Sequence, residues 1–276
     1  MTTMLHSVTT LEIHGPHALL AVHLRGPAEG PVVLMAHSIL SSSLMWEAQA
    51  ERLADEGMRV VCMDTRGHGL SKASTPPYRM DDLVADSVAV LDELGVDRAH
   101  YVGLSLGGMS GFGLGIEHGE RLLSLLLCDA RADAPPDFAA PWDARIDAAR
   151  AGGCAALAAA TVERWFGRAF IDANPAVAER FRGMIAQTSV DGFEGCARAI
   201  QGLDYVDRVG RIEVPTTLLV GSRDGGLPQA MEQLSARIPG ARLQVIADAG
   251  HLPNIDQQAR FDAALLDHFA RVAGRV

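Results

Sequence analysis

YVGLSLGG, residues 101–108, sets one serine among small residues where an apolar run of strand character gives way to a run of helix character. A strand that turns at once into a helix folds its backbone sharply. Residues two places before and after the turning position then approach too closely for larger side chains. Gly103 and Gly107 stand at those two places around Ser105, in a G-x-S-x-G spacing. The stretch therefore predicts a serine hydroxyl held out at the tip of a strand-to-helix turn, as a nucleophile requires. A serine that only caps a helix start would have a similar sequence, but the strand before it and the helix after it favour the sharper turn.

Apolar runs of strand length continue outward on both sides. They are VTTLEIHG (8–15), HALLAVHLRG (17–26), PVVLMAHS (31–38), MRVVCMD (58–64), AHYVGLS (99–105), LLSLLLCD (122–129), TTLLVGS (216–222) and ARLQVIAD (241–248). From the third onward they are almost continuously apolar, as strands of a parallel sheet covered on both faces must be. Helical patterns lie between them. In MDDLVADSVAVLDELG (80–95), Leu83, Val84, Val88, Leu91 and Leu94 share one face and Gly95 can end the helix. Alternating strands and helices predict an α/β fold with a mostly parallel, doubly wound sheet of eight strands and helices on both faces.

The alternation stops after residue 130. Roughly 131–205 is alanine-rich, helical in pattern and holds two of the three tryptophans. The expected organisation is a core of 1–130 and 206–276, with 131–205 as a helical lid inserted after the sixth strand. Such a lid would cover the C-terminal sheet edge, where open α/β sheets bind ligands. No low-complexity linker flanks it, so it should be packed rather than tethered.

The 276 residues are 48% apolar with a formal charge of −10, enough chain for a large core. That charge argues against nucleic acid or an anionic membrane as partner. MTTMLHSVTT lacks the basic and apolar regions of a secretory leader, and no apolar run reaches the roughly 18 to 20 residues of a spanning helix. A cytoplasmic protein is expected. Cys62, Cys128, Cys154 and Cys196 are scattered, without the close pairing of a zinc site or a disulfide framework, and are expected as small core residues.

A serine hydroxyl needs a base within hydrogen-bond reach and an acid to orient that base. His251, in DAGHLPNID after the last strand, falls at the same sheet edge as Ser105, whereas His6, His14, His17 and His268 lie near the termini or on outer elements. Asp224, in LLVGSRDGG after the seventh strand, completes the chain order Ser, Asp, His. Asp129, after LLSLLLC, is the competing acid and also suits a helix cap. Donors for a developing oxyanion should be backbone N–H groups: Leu106, next to the nucleophile, and Ile39, in HSILSSSLMW after the third strand. No metal or cofactor is called for, since the histidines and carboxylates lack ligand spacing.

These segments resemble the α/β-hydrolase superfamily over essentially the whole chain, and within it the 3-oxoadipate enol-lactonases most. The resemblance is carried by DTRGHGLS (64–71), GLSLGG, LLLCDA, the lid stretch VERWFGRAF and AGHLPNID. It implies opening of a lactone, or hydrolysis of a small-molecule ester, through an acyl-enzyme on Ser105. It gives His68, in DTRGHGLS, a structural role. Trp142 and Arg145 become candidates for the substrate wall and for a substrate carboxylate. The family carries His-Gly where this chain has His37-Ser38, so Ser38 is a candidate to reshape the oxyanion loop or to add a hydroxyl to the site.

Two other readings compete. A carboxylesterase or carbon–carbon bond hydrolase would use the same three residues, because a fold does not choose its chemistry. A dehalogenase would need aspartate in place of Ser105. A hydrolase-fold protein that binds without turnover is favoured only by Ser38. The chain names no oligomeric partner.

Overall fold

The computed structural model describes residues 6–273; Met1–Leu5, the start of the stretch considered above as a leader, lie outside the described residues, as do 274–276. Each of the eight apolar runs forms a strand: β1 (Thr9–His14), β2 (Leu19–Arg25), β3 (Val32–Ala36), β4 (Arg59–Met63), β5 (Ala99–Leu104), β6 (Leu122–Cys128), β7 (Thr216–Gly221) and β8 (Arg242–Ile246). They make one sheet in the order β1-β2-β4-β3-β5-β6-β7-β8. β2 runs antiparallel to both β1 and β4, and the other pairs are parallel. Every residue of β3, β5 and β7 is buried, which is why these runs carry no polar alternation.

Outside the sheet lie α1 (Glu47–Asp55), α2 (Met80–Glu93) and α3 (Leu106–Glu117). α2 packs on α3 and β1 and buries Leu83, Val84, Val90 and Leu91, while Val88 and Leu94 sit at the margin of the contact. Gly95 ends it at φ +63°, and the Val96 N–H donates back to the Leu91 carbonyl at 2.8 Å, a left-handed C-terminal cap. Six helices follow between β6 and β7: α4 (Pro136–Ala139), α5 (Pro141–Gly152), α6 (Ala158–Phe166), α7 (Arg168–Ala173), α8 (Pro175–Gln187) and α9 (Val190–Gln201). Their ends are drawn together by a bridge between Asp133 and Asp204 and by the Tyr205 N–H donating to the Ala132 carbonyl at 2.7 Å. α10 (Leu227–Arg237), α11 (Pro253–Asp256) and α12 (Gln258–Ala273) complete the chain.

β3 lies between β4 and β5, so the chain winds to one side of it and then to the other. At such a reversal the loops leaving neighbouring strands diverge and open a crevice at the strands' carboxyl ends. The loops after β3 and β5 therefore flank one opening, and those after β6, β7 and β8 extend its rim. Among the described residues no helix is long and apolar enough to cross a membrane. All four cysteines are buried and free.

Candidate active site

Ser105 joins β5 to α3 with φ 55° and ψ −112°, a region that side chains seldom adopt. The turn closes tightly. A Cβ on Gly103 would sit 2.2 Å from the Gly107 carbonyl oxygen, and one on Gly107 would sit 2.3 Å from that of Ala36. Backbone bonds fix it further: the Ser105 N–H donates to the Cys128 carbonyl at 2.9 Å, and the Gly107 N–H to the His37 carbonyl at 3.1 Å. The Tyr101 hydroxyl donates to the Gly107 carbonyl at 2.7 Å.

His251 lies across from this turn. Its Nδ1 is 2.6 Å from Asp224 Oδ2 and its Nε2 is 3.0 Å from Ser105 Oγ, and all three side chains are buried. With Nδ1–H donated to the carboxylate, Nε2 is left as the acceptor for the serine hydroxyl. The 2.6 Å separation is that of a hydrogen bond. The His251 N–H donates to the Trp165 carbonyl on α6 at 2.9 Å, so the helical segment helps to seat this loop. Burial pushes the Asp224 carboxyl up, but the His251 charge and hydrogen bond, together with Arg164, hold it below the usual carboxylate range.

Neither Leu106 N–H nor Ile39 N–H has an acceptor among the described residues. Leu106 opens the twelve-residue α3, whose free N–H groups and dipole favour negative charge there. Ile39 lies in the loop after β3, ahead of Leu40 at φ 63°. That loop rests on a neutral His37, which donates Nδ1–H to the Ser38 carbonyl at 2.7 Å and accepts the Thr65 N–H at Nε2, 2.9 Å away. Burial lowers His37 below its ordinary value, which keeps this donor and acceptor pair intact.

The crevice is a cavity of about 640 Å³ that opens beside Ser105 and His251, with Ile39, Met109, Trp142, Arg145 and Arg164 in its wall. Trp142 packs edge-on to Phe138, and the Arg145 guanidinium lies 4.3 Å above its ring. Arg145 also lies 5.8 Å over the Phe193 ring and reaches the Thr161 hydroxyl at 3.5 Å. Its desolvation, and then Arg164, lower it to about 10. Arg164 is lowered by desolvation too, with Asp224 acting in the opposite sense. Neither guanidinium has a carboxylate partner among the described residues.

Ser38 requires a correction. It is fully buried and does not line the cavity; its N–H faces Met45 Sδ at 3.4 Å and its hydroxyl faces the Ile39 carbonyl at 3.4 Å. Its φ is not in the left-handed region, so the backbone does not demand glycine there. Asp129 stands at the end of β6, where its Oδ1 accepts the Gly221 N–H at 2.8 Å; the acid that reaches His251 is Asp224. His68 is buried beside His37 with ring centroids 5.4 Å apart, away from the cavity. Sequence reasoning missed Arg164. Leu157, Ala160, Thr161 and Arg164 line the cavity, and their spacing of three, one and three marks one helix face.

The comparisons agree with this architecture. The 3-oxoadipate enol-lactonase 2 of Acinetobacter baylyi is 32% identical over 241 residues, 87% of this chain and 89% of the relative. A hydrolase from Pseudomonas aeruginosa PA01 superposes with a TM-score of 0.89 at 35% identity, covering 95% of this chain and 98% of the other. The enol-lactonase from Burkholderia xenovorans LB400 gives 0.89 at 29% identity, covering 95% and 100%. A family model described as the alpha/beta hydrolase fold matches residues 31–258. With that span matched, and with a strand order, a strained serine turn and a downstream acid and histidine that meet at one sheet edge, the chain belongs to the α/β-hydrolase family.

Proposed function

We propose that the protein hydrolyses a small-molecule lactone that carries a free carboxylate, of the 3-oxoadipate enol-lactone type. One observation carries the reading. The Ser105, His251 and Asp224 relay faces a cavity whose wall holds Arg145 and Arg164 without carboxylate partners, in a chain of net charge −10. Cations without a partner in a cavity wall gain a charge-assisted bond when an anion arrives. The enol-lactone of a dicarboxylic acid brings both the reactive carbonyl and one remaining carboxylate.

In this mechanism Ser105 Oγ attacks the ring carbonyl while His251 Nε2 takes its proton. The oxygen that becomes negative receives the Ile39 and Leu106 N–H groups. As the ring ester bond breaks, His251 returns the proton to the departing enol oxygen and an acyl ester remains on Ser105. Water then attacks that ester with His251 as base, which frees the acid and restores the hydroxyl. Asp224 holds the imidazole tautomer and balances its charge during both halves. Trp142 supports Arg145 from below, and the helical segment 131–205 acts as the lid that bears both.

The test is turnover of 3-oxoadipate enol-lactone, followed by its ultraviolet absorbance, beside a short p-nitrophenyl ester. Lactone turnover should far exceed ester turnover, and Ser105→Ala should abolish both. Arg145→Gln should raise KM for the lactone by about ten-fold or more, the loss of a charge-assisted contact, with a much smaller change on the neutral ester. Ester turnover without lactone turnover would keep the hydrolase and discard this substrate class.

A further inference from the structure

Asp129 has no step in that mechanism, yet the fold holds it at the relay under several constraints. Its backbone is left-handed, at φ 45°, a conformation uncommon outside glycine that aspartate tolerates better than most residues. The side chain is completely buried. Oδ1 accepts the Gly221 N–H at 2.8 Å, while Oδ2 has no hydrogen-bond partner. A carboxylate oxygen of Asp129, one of Asp224 and a ring nitrogen of His251 all lie within 4.8 Å of one another. No Lys, Arg or His forms an ion pair with Asp129 among the described residues.

Two buried carboxyls this close do not both ionise. Asp224 faces His251 and Arg164, so the negative charge belongs there, and Asp129 is left to carry the proton. Oδ1 already accepts a backbone N–H, which assigns the proton to the unpartnered Oδ2. Burial, and then the Asp224 charge, raise the Asp129 carboxyl well above the usual range against the pull of the Gly221 N–H. The other titratable groups around the pair are Cys128 on β6, Asp256 on α11 and Arg164 on α6. Arg131 and Arg223 on the cavity wall turn instead to Asp133 and to the Asp248 carbonyl.

We propose that Asp129 is a positioning residue, a neutral carboxylic acid that gives its O–H to Asp224 and so fixes the carboxylate that His251 needs, without adding a second charge beside it. No proton moves from it during turnover. This role rests on the relay acting as described above, whereas the protonation state of Asp129 does not.

Infrared difference spectroscopy of wild type against Asp129→Asn at pH 8 tests that state directly. Asp256, raised by burial to about 6, is then ionised and should not contribute. The expected result is a deuterium-sensitive protonated-carboxyl C=O band in wild type that Asp129→Asn loses. Kinetics then test the role. Asp129→Asn keeps a neutral donor and should hold kcat/KM within about three-fold, whereas Asp129→Leu removes the donor and should lower kcat by about ten-fold with KM little changed. In wild type kcat/KM should fall at alkaline pH, because ionised Asp129 no longer donates to Asp224 and instead repels the carboxylate that orients His251; Asp129→Asn should lack this alkaline fall.

A wild-type spectrum without the band overturns the proposal, as does full activity in Asp129→Leu, or an Asp129→Asn enzyme as impaired as Asp129→Leu. If Asp129→Leu does not fold, the band and the Asp129→Asn pH profile decide. Retained turnover in Ser105→Ala would instead defeat the proposed function, and the band would still report on Asp129.

Discussion

Ser105 gives the residue scale its clearest energetics. A side chain at φ 55° and ψ −112° stores about 1–3 kcal/mol of backbone strain, held in place by the bonds from its own N–H and from Gly107. Ser105→Ala removes the hydroxyl and keeps the strain. Ser105→Gly relieves the strain, offset by about 0.5–1 kcal/mol for the more flexible unfolded chain. Ser105→Gly should therefore be the more stable of the two inactive variants by about 1 kcal/mol, read from urea midpoints at equal slope. A Ser105→Gly midpoint below that of Ser105→Ala would mean the turn is unstrained. This residue was legible because its constraint is steric and local: Gly103 and Gly107 stand in the sequence as the gaps that the backbone needs. Asp224 and His251 were legible from their order after strands. Ser38 and Arg164 were not, because which way a side chain points depends on packing that spacing alone does not specify.

Among the elements, the DTRGHGLS loop is tied to α2 by one ion pair. Arg66 donates Nε and Nη2 to the two oxygens of Asp86 at 2.7 and 2.6 Å, with both side chains 1% exposed. A third bond runs from Nη2 to the Asp82 carbonyl at 3.0 Å, and the guanidinium lies 5.1 Å over Tyr78. Removing one partner from such a pair leaves a buried charge and costs about 3–5 kcal/mol, whereas replacing both with apolar groups is often close to neutral. Asp86→Ala should lose that much stability in a urea titration, and Arg66→Met/Asp86→Leu should recover most of it; a loss under about 1 kcal/mol in Asp86→Ala would show that water reaches Arg66. The strands were legible because a buried parallel strand is apolar throughout. The helices between β6 and β7 were legible only as helical character, since alanine favours helix without marking its ends. Pro141 and Pro175, which open α5 and α8, are the punctuation that could have placed them.

At the scale of the molecule, the doubly wound sheet and the crevice at its carboxyl edge followed from alternation of strand and helix, but the strand order and the polar groups sealed within the layers did not. His268 on α12 meets Ser124 of β6 at 2.9 Å and Thr217 of β7 at 2.8 Å, and His100 of β5 shares Ser124 at 2.8 Å. Three strands and the last helix are thus joined through two imidazoles. Burial lowers His268 to about 3 and His100 to about 4, and His68, with a contribution from His37, to about 3. The unfolded chain takes these protons near 6.5, so between 6.5 and roughly 3–4 it binds protons that the folded chain refuses. Each group then contributes stability above 6.5 that falls by up to about 1.4 kcal/mol per pH unit as the solution is acidified. Asp64 adds its loss later. Burial raises its carboxyl, but His23, His37 and the Leu70 and Ser43 N–H groups hold it at about 2, so its contribution persists to pH 4 and disappears toward pH 2. Asp129 and Asp256, both raised by burial, act in the opposite sense over the same interval, so the contribution of one imidazole is read as a difference: between pH 7.5 and 5 the urea midpoint should fall further, or rise less, in wild type than in His268→Gln. Parallel midpoint profiles in the two proteins would mean that His268 is not held neutral by the fold.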